Sequence, residues 1–390
     1  MTTSIYLDNN ATTRPLEAVN EIMQSTMSQQ WGNPSSIHRI GQEARQLVDL
    51  AREQVAKLIN ANPSEITFTS GGTEAANLAL HSACQERPDR KLIITSQIEH
   101  AAVAEMADAL CDRGIEVIRI NNDEHGVMSM QELETLLQDR ANEIAVVSLM
   151  WCNNETGVIE PIEKASLLCK KYDVLLHSDG TQWVAKMPVD VRDVQIDFLS
   201  FASHKFHGPK GIGAIYTKEG IVISPLVLGG PQERRRRGGT ENVPAIAGFG
   251  VASEAALSWL NKANVDLMIK LRDDFEMQLK ETIPQIKINS SGAPRAWTTS
   301  SVAFPEIKGE LLLLMLSERG VYASSGSACS SGAFKESAVI AALGDQDGEW
   351  GTVRFSFART TTSDDLVSAV DALCDVFDTI EKLTDTHVTA

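Results

Sequence analysis

Leu175-Leu-His-Ser-Asp-Gly-Thr-Gln182 and Phe198-Leu-Ser-Phe-Ala-Ser-His-Lys205 decide the fold. Each is a short apolar run that ends in polar, chemistry-bearing residues, as a buried strand does when it leaves a parallel sheet. The same alternation recurs on both sides of them. Residues 66–69, 92–95, 116–120, 144–151, 174–178 and 198–201 read as strands, and 73–85, 101–113, 130–138 and 162–172 as helices. The pattern predicts an α/β fold, a large domain with a mainly parallel sheet covered by helices on both faces. Ligands bind beyond the carboxyl ends of such strands. Asp179 and Lys205 both fall at that edge.

Farther along the chain the pattern changes. Residues 244–282 are helical in character until Pro284 stops them. Strands at 286–289, 301–304 and 353–357 follow, with helices at 309–319 and 363–383 and a Ser/Gly-rich loop between. This predicts a smaller α+β domain reached through one long helix. The large domain is expected to span 16–261, and the small one to combine 1–15 with 262–390.

The 390 residues are 43% hydrophobic and 22% charged, an ordinary globular composition that excludes a disordered or collagen-like chain. Acidic side chains outnumber basic ones by 52 to 35, a net charge of −17 that disfavours nucleic acid as a partner. No apolar run approaches the ~20 residues of a membrane span, and the polar first eight residues carry no secretory signal. The six cysteines are scattered, with neither a CxxC pair nor zinc-ligand spacing, so no metal site is expected. Free thiols in a reducing cytoplasm are the expectation, with one thiol available as a nucleophile.

Several segments carry chemistry. Phe68-Thr-Ser-Gly-Gly-Thr-Glu-Ala-Ala-Asn77 reads as strand, glycine turn and helix start, which suits a phosphate at free N–H groups or is a plain strand–helix turn. Asp179 is a carboxylate at the ligand edge or a helix cap. A lysine is usually a solvated charge. Lys205, at the end of a core strand near that aspartate, instead suits a Schiff base to an aldehyde cofactor whose pyridinium nitrogen the carboxylate keeps protonated. Cys329 sits among small polar residues in Ser324-Ser-Gly-Ser-Ala-Cys-Ser-Ser-Gly332, unlike an inert buried thiol. Arg354 alternates with apolar Val353 and Phe355, so it faces away from the core, as a fork for a substrate carboxylate or as a structural ion pair. His100 falls at the ligand edge. Arg234–Arg237 is the one dense basic run, by default a solvated face, or else an anion site.

Taken together, these segments resemble a pyridoxal-phosphate cysteine desulfurase of the NifS/IscS type, in the class V aminotransferase family. The resemblance runs in order through Tyr6-Leu-Asp-Asn-Asn-Ala-Thr-Thr13, Gly32-Asn-Pro-Ser-Ser36, Thr69-Ser-Gly-Gly-Thr-Glu74, Glu99-His100 and Asn153-Asn-Glu-Thr-Gly157. It continues through Asp179-Gly-Thr-Gln182, Ser203-His-Lys205, Gly208-Pro-Lys-Gly-Ile-Gly213, Gly239-Thr-Glu-Asn242, the Cys329 loop and Arg354-Phe-Ser356. It implies the fold type I of pyridoxal-phosphate transferases. It also implies that Lys205 holds pyridoxal 5'-phosphate as an internal aldimine, with Asp179 on the pyridine nitrogen and Gln182 on the phenolic oxygen. His100 would stack on the ring and Asn154 would lie near cofactor and substrate. Gly72, Thr73, Ser203 and His204 would hold the phosphate, with Thr240 reaching the phosphate of a second subunit in a homodimer. Arg354 would clamp the carboxylate of L-cysteine, and Cys329 would take the sulfur for a sulfur-acceptor protein such as an iron–sulfur scaffold.

Three departures accompany the resemblance. Ala202 stands where a phosphate-binding serine is usual. Ala333-Phe-Lys-Glu-Ser337 lacks the family's proline. The sequence ends at Ala390 without the longer tail that resembling enzymes use to dock a scaffold, which leaves the acceptor open. The competing readings are a selenocysteine lyase or other class V enzyme, and a cofactor-free structural partner. The Cys329 loop argues against simple transamination, and Lys205, Asp179 and Gln182 together argue against a cofactor-free partner.

Overall fold

The computed structural model describes residues 4–325, 337–344 and 350–388. Its strands, in chain order, are β1 (Ile5–Tyr6), β2 (Ile66–Thr69), β3 (Leu92–Ser96), β4 (Glu116–Ile120), β5 (Ile144–Met150), β6 (Leu175–Asp179), β7 (Phe198–Ala202), β8 (Gly213–Thr217), β9 (Lys287–Ile288), β10 (Thr299–Pro305), β11 (Val321–Tyr322) and β12 (Trp350–Ser356). Seven of these build the main sheet, in the order β2-β8-β7-β6-β5-β3-β4. It is parallel from β7 to β4. The α/β expectation holds.

Strand β8 is an addition to that expectation. It follows the Gly208–Gly213 segment directly and runs antiparallel to both β7 and β2. A five-residue run next to glycines gives weak periodicity, and its partners on both sides are what make it a strand.

Alternating side chains of the sheet pack into separate apolar clusters. Ile93, Val146, Leu175, Phe198 and Ile215 join the helices Gly72–Glu86 and Ala101–Cys111. Ile94, Val147, Leu176, Leu199 and Ala214 join the cluster that holds the helices Arg39–Leu58 and Val243–Trp259. A strand buried on both faces takes apolar side chains, or hydrogen-bonded polar ones, on either side, which is why these runs lack a regular apolar–polar alternation. The Val243–Trp259 helix approaches its neighbour closely. A Cβ on Gly250 would stand 2.3 Å from Gln54 Oε1 and 2.8 Å from Ala51 Cα, so glycine is required there.

The single long helix expected across 244–282 is two helices, Val243–Trp259 and Lys262–Thr282, bent by 88°. Asn261 breaks it with extended backbone, and its side chain accepts the amide of Asn264 as a cap. A separate apolar cluster then gathers Ile5 and Leu7 with Phe275, Leu279, Phe304, Leu312, Phe355 and Leu373. It covers the antiparallel sheet β12-β10-β9. No single helix among the described residues is long and apolar enough to cross a membrane.

The basic run is mostly structural. Arg234 and Arg236 donate to the carbonyl of Ser64, and Arg237 pairs with Glu74 at 3.0 Å. Just before them, buried Glu233 makes a two-point pair with Arg52 at 2.6 and 2.7 Å and accepts the amide of Phe68. Arg52 also donates to the Ile66 carbonyl, so this pair fixes strand β2 to the helix Arg39–Leu58. Removing one partner strands a buried charge. Glu233→Gln is therefore expected to lower the unfolding free energy by about 3 kcal/mol or more in chemical denaturation.

Glu99 ties the sheet edge together. Its Oε1 accepts from the Met150 amide and from Ser96 Oγ, both at 2.8 Å. Burial pushes this carboxyl up to about 8, against the pull of those two hydrogen bonds. Its contribution to stability is thus complete below the ordinary carboxylate range and is lost as pH rises through about 8. Glu99→Gln, which cannot ionise, should gain in melting temperature over the parent protein as pH is raised from 5 to 9. A difference that stays flat across that range would show that Glu99 does not titrate there.

Candidate active site

Parallel pairing sets β6 beside β7, with Asp179 in register with Ser200. Both strands therefore deliver their last residues to one edge, where a cavity of about 310 Å³ opens. Asp179, Gln182, His204, Lys205, His100, Asn154, Gly72, Thr73 and Arg354 all line it. These come from six separate stretches of the sequence.

Lys205 closes the short turn Ser203–Lys205 that follows β7. Its Nζ donates to the carbonyls of Asn10 at 2.5 Å and Ala11 at 3.1 Å. Asp179 is 7% exposed, and its Oδ1 accepts the Thr181 amide at 2.9 Å. It is thus both the carboxylate at the edge and the acceptor that turns the chain. Below it His177 is fully buried between Ser148 and Ser200, and burial pushes it down to about 4, so it is neutral.

His100 caps the helix Ala101–Cys111, its Nδ1 accepting the Ala102 amide at 3.1 Å. The acceptor role leaves Nδ1 unprotonated, so the ring proton is on Nε2. His204 is also neutral, pushed down to about 4 by burial and then by the ammonium groups of Lys205, Lys186 and Lys210. Arg354 is buried, in an ion pair with Asp8 at 2.8 Å, and it donates to the Asn154 carbonyl at 3.0 Å. The structural ion pair and the place at the cavity are therefore both present. Facing away from the apolar core does not mean facing solvent here, because the N-terminal segment covers that side of β12.

The helix Gly72–Glu86 begins at Gly71, which provides no side-chain cap. Its first-turn N–H groups lack helical partners and form a donor edge for an anion. A Cβ on Gly72 would stand 3.2 Å from Thr181 Oγ1 and 3.5 Å from Ala202 Cβ, so glycine keeps that corner open. A phosphate cradle, a buried carboxylate and a strand-end lysine in one cavity fit an aldehyde cofactor with a pyridine ring and a phosphate.

One expected cavity residue lies elsewhere, and two others lie apart from the cavity or outside the described residues. Ser203 does not line the cavity: its fully buried Oγ packs against Gly208, where a Cβ would lie 1.8 Å from it. Thr240 is exposed and lines a second concavity, of about 260 Å³, with Ser70, Gly239 and Asn242. Cys329 lies outside the described residues. Both flanks of its loop are described, and both are tied to the cavity. Ser324 pairs through its backbone with Arg354, and Ser337 Oγ donates to Glu155 Oε2 at 2.5 Å, next to Asn154.

The cavity also holds residues to which the sequence reading gave no role. Asn10 and Ala11 line it from the N-terminal segment, and Met150 and Cys152 from the end of β5. Lys186 sits directly behind it, 5% exposed. Asn10 fell within a motif of the resemblance, but nothing in its local sequence shows that its carbonyl meets Lys205. The other thiols offer no alternative nucleophile inside the site: burial holds Cys152 up at about 12.

The family description "Aminotransferase class-V" matches residues 5–369. The chain is 40% identical over 364 residues to the cysteine desulfurase NifS of Azotobacter vinelandii, covering 93% of this chain and 90% of that protein. It is 39% identical over 382 residues to the cysteine desulfurase IscS of Methanosarcina thermophila, covering 97% and 93%. Among solved structures, a NifS-like protein superposes with a TM-score of 0.88 at 35% identity, covering 96% of this chain and all of that one. A shared order of motifs, a shared fold and near-complete coverage make this chain a member of the class V aminotransferase family.

Proposed function

We propose that this chain is a pyridoxal-phosphate-dependent cysteine desulfurase, converting L-cysteine to L-alanine and passing the sulfur to Cys329. The observation that carries this reading is the convergence of Lys205, Asp179 and Arg354 on one cavity. The desulfurase relatives support it at 40% identity.

When bound, pyridoxal phosphate supplies an electron sink for negative charge at the substrate Cα. Lys205 is the residue that would hold it covalently and then move the proton at Cα. Asp179 would face the pyridine nitrogen, Gln182 the phenolic oxygen, and the imidazole of His100 the ring. Gly72, Thr73 and His204 would bind the phosphate. Arg354, oriented by Asp8 and the Asn154 carbonyl, would fork onto the substrate carboxylate, with Asn154 beside it. The Cys329 sulfur then attacks the substrate sulfur: an S–S bond forms, the substrate C–S bond breaks, and the electron pair and a proton end on alanine. A persulfide remains for an acceptor protein such as an iron–sulfur scaffold. Thr240, exposed beside the Gly71 turn, suits a homodimer in which it reaches the partner's phosphate, and a reducing cytoplasm suits the persulfide.

Borohydride reduction of the yellow protein followed by peptide mapping should label Lys205, and Lys205→Ala should abolish the visible band. A label on another lysine would refute the assignment. Sedimentation should give a dimer, and a monomer with full cofactor occupancy would remove Thr240's role. Cys329→Ser should keep cofactor and cysteine binding yet release alanine more slowly by at least about 100-fold. The same variant separates the closest alternative. Cleavage of selenocysteine that survives while cysteine turnover is lost identifies the thiol as sulfur acceptor, whereas cysteine turnover at the parent rate would sink the mechanism.

A further inference from the structure

Lys186 is a buried amine with no place in the chemistry described above. Its Nζ donates to Gln182 Oε1 and, at 3.4 Å, to Asn10 Oδ1. Gln182 in turn donates from Nε2 to the Asn10 carbonyl at 3.0 Å. A carbonyl cannot donate a hydrogen bond, so the Asn10 carbonyl must face the Gln182 nitrogen and Lys186 its oxygen. The two partners therefore fix which end of the Gln182 amide points where, a choice that is otherwise open for this side chain. Its oxygen belongs to Lys186, and its nitrogen keeps one further N–H beyond the one given to Asn10.

The backbone around Lys186 is held for this purpose. Trp297 Nε1 donates to the Lys186 carbonyl at 2.9 Å, and Trp183 stacks on Trp151 with ring centroids 5.2 Å apart. Ala185, immediately before it, has φ +68, a left-handed conformation that alanine adopts only at a cost. Burial, followed by the charges of Lys205 and Arg354, pushes the Lys186 amine down to about 7, with Cys152 opposing. A charge so disfavoured gains from any anionic group brought into the cavity.

We propose that Lys186 is a positioning residue: it clamps the Gln182 carboxamide so that an N–H, and not the oxygen, meets the phenolic oxygen of the cofactor. This rests on the reading of the cavity as a pyridoxal-phosphate site. The clamp makes the cavity select an acceptor at that point and sets how strongly the phenolic oxygen is held as an anion.

The test uses the full chain carrying pyridoxal phosphate and reads the pH midpoint of its visible absorption band. Lys186→Met keeps the length and removes the donor. Lys186→Gln restores one donor without the charge, and it carries the comparison should the Met variant fail to fold. Lys186→Met is expected to move the midpoint by about one pH unit, a tenfold change in the equilibrium, with Lys186→Gln recovering part of it. Combined with Gln182→Ala, it should move the midpoint by less than the sum of the two single shifts, because both remove one contact. An unmoved midpoint in Lys186→Met, or strictly additive shifts, overturns the proposal. If the parent protein takes up no pyridoxal phosphate, the reading of the cavity falls instead. The clamp is then decided in the ligand-free protein, where non-additive melting shifts of the two substitutions support it and additive shifts reject it.

Discussion

The carbonyl of Asn10 accepts from both Lys205 Nζ and Gln182 Nε2, and the site is arranged around this shared acceptor. Asn10 is held from every side. Its amide donates to Ser356 Oγ at 2.9 Å, and its side chain donates to Thr299 Oγ1 at 2.7 Å and to the Asn154 carbonyl at 3.1 Å. Asp8 anchors the same segment through Arg354. A short N-terminal strap thus joins strands β10 and β12 to the ends of β6 and β7. The strap contacts both Lys205 and Arg354, which share one cavity.

The acidic protein keeps several cationic side chains at this cavity. The net charge of −17 belongs to a solvated surface and is screened within about 10 Å. Inside, Lys205, Lys186 and Arg354 converge with Asp179 and Asp8, and the nearby histidines 177 and 204 are held neutral by burial. Local geometry, not net charge, decides what binds. A phosphorylated cofactor and a substrate carboxylate both suit that balance, and each would offset like-charge repulsion that the protein alone leaves in place.

The described part of the site is built on fixed elements. Strand ends and a helix N-terminus hold it, as precise positioning requires. The two described flanks of the segment that contains Cys329 are pinned beside the cavity, Ser324 at Arg354 and Ser337 at Glu155. Cys329 is four residues from Ser325, so an extended chain reaches at most about 14 Å from that flank. The Ser324 bridge links Arg354 to the stretch of chain that leads to Cys329.

How much was legible in the sequence follows from the range of each interaction. Apolar runs of strand length alternating with amphipathic helices fixed the α/β sheet, because burial on both faces forces that pattern locally. Asp179 and Lys205 could be placed at one edge, because parallel strands must end on the same side. Where the competing interaction was non-local, the sequence fell short. Strand β8 depends on its neighbours; the break at Asn261 is instead local, a side-chain cap on the Asn264 amide hidden among strong helix formers. Arg354 reads only as facing away from the core, and its partner Asp8 comes from a segment some 350 positions away. Ser203 has the right chemistry, and only the approach of Gly208 turns its hydroxyl aside. Lys186 carried no signal at all, since a lysine in a turn is ordinary until tertiary packing buries it against Gln182. The sequence by itself determined the layers, the sheet edge and the residue types of the chemistry, because these rest on local periodicity and strand polarity. Only the tertiary structure decided which charges meet, because burial and the joining of distant segments set that.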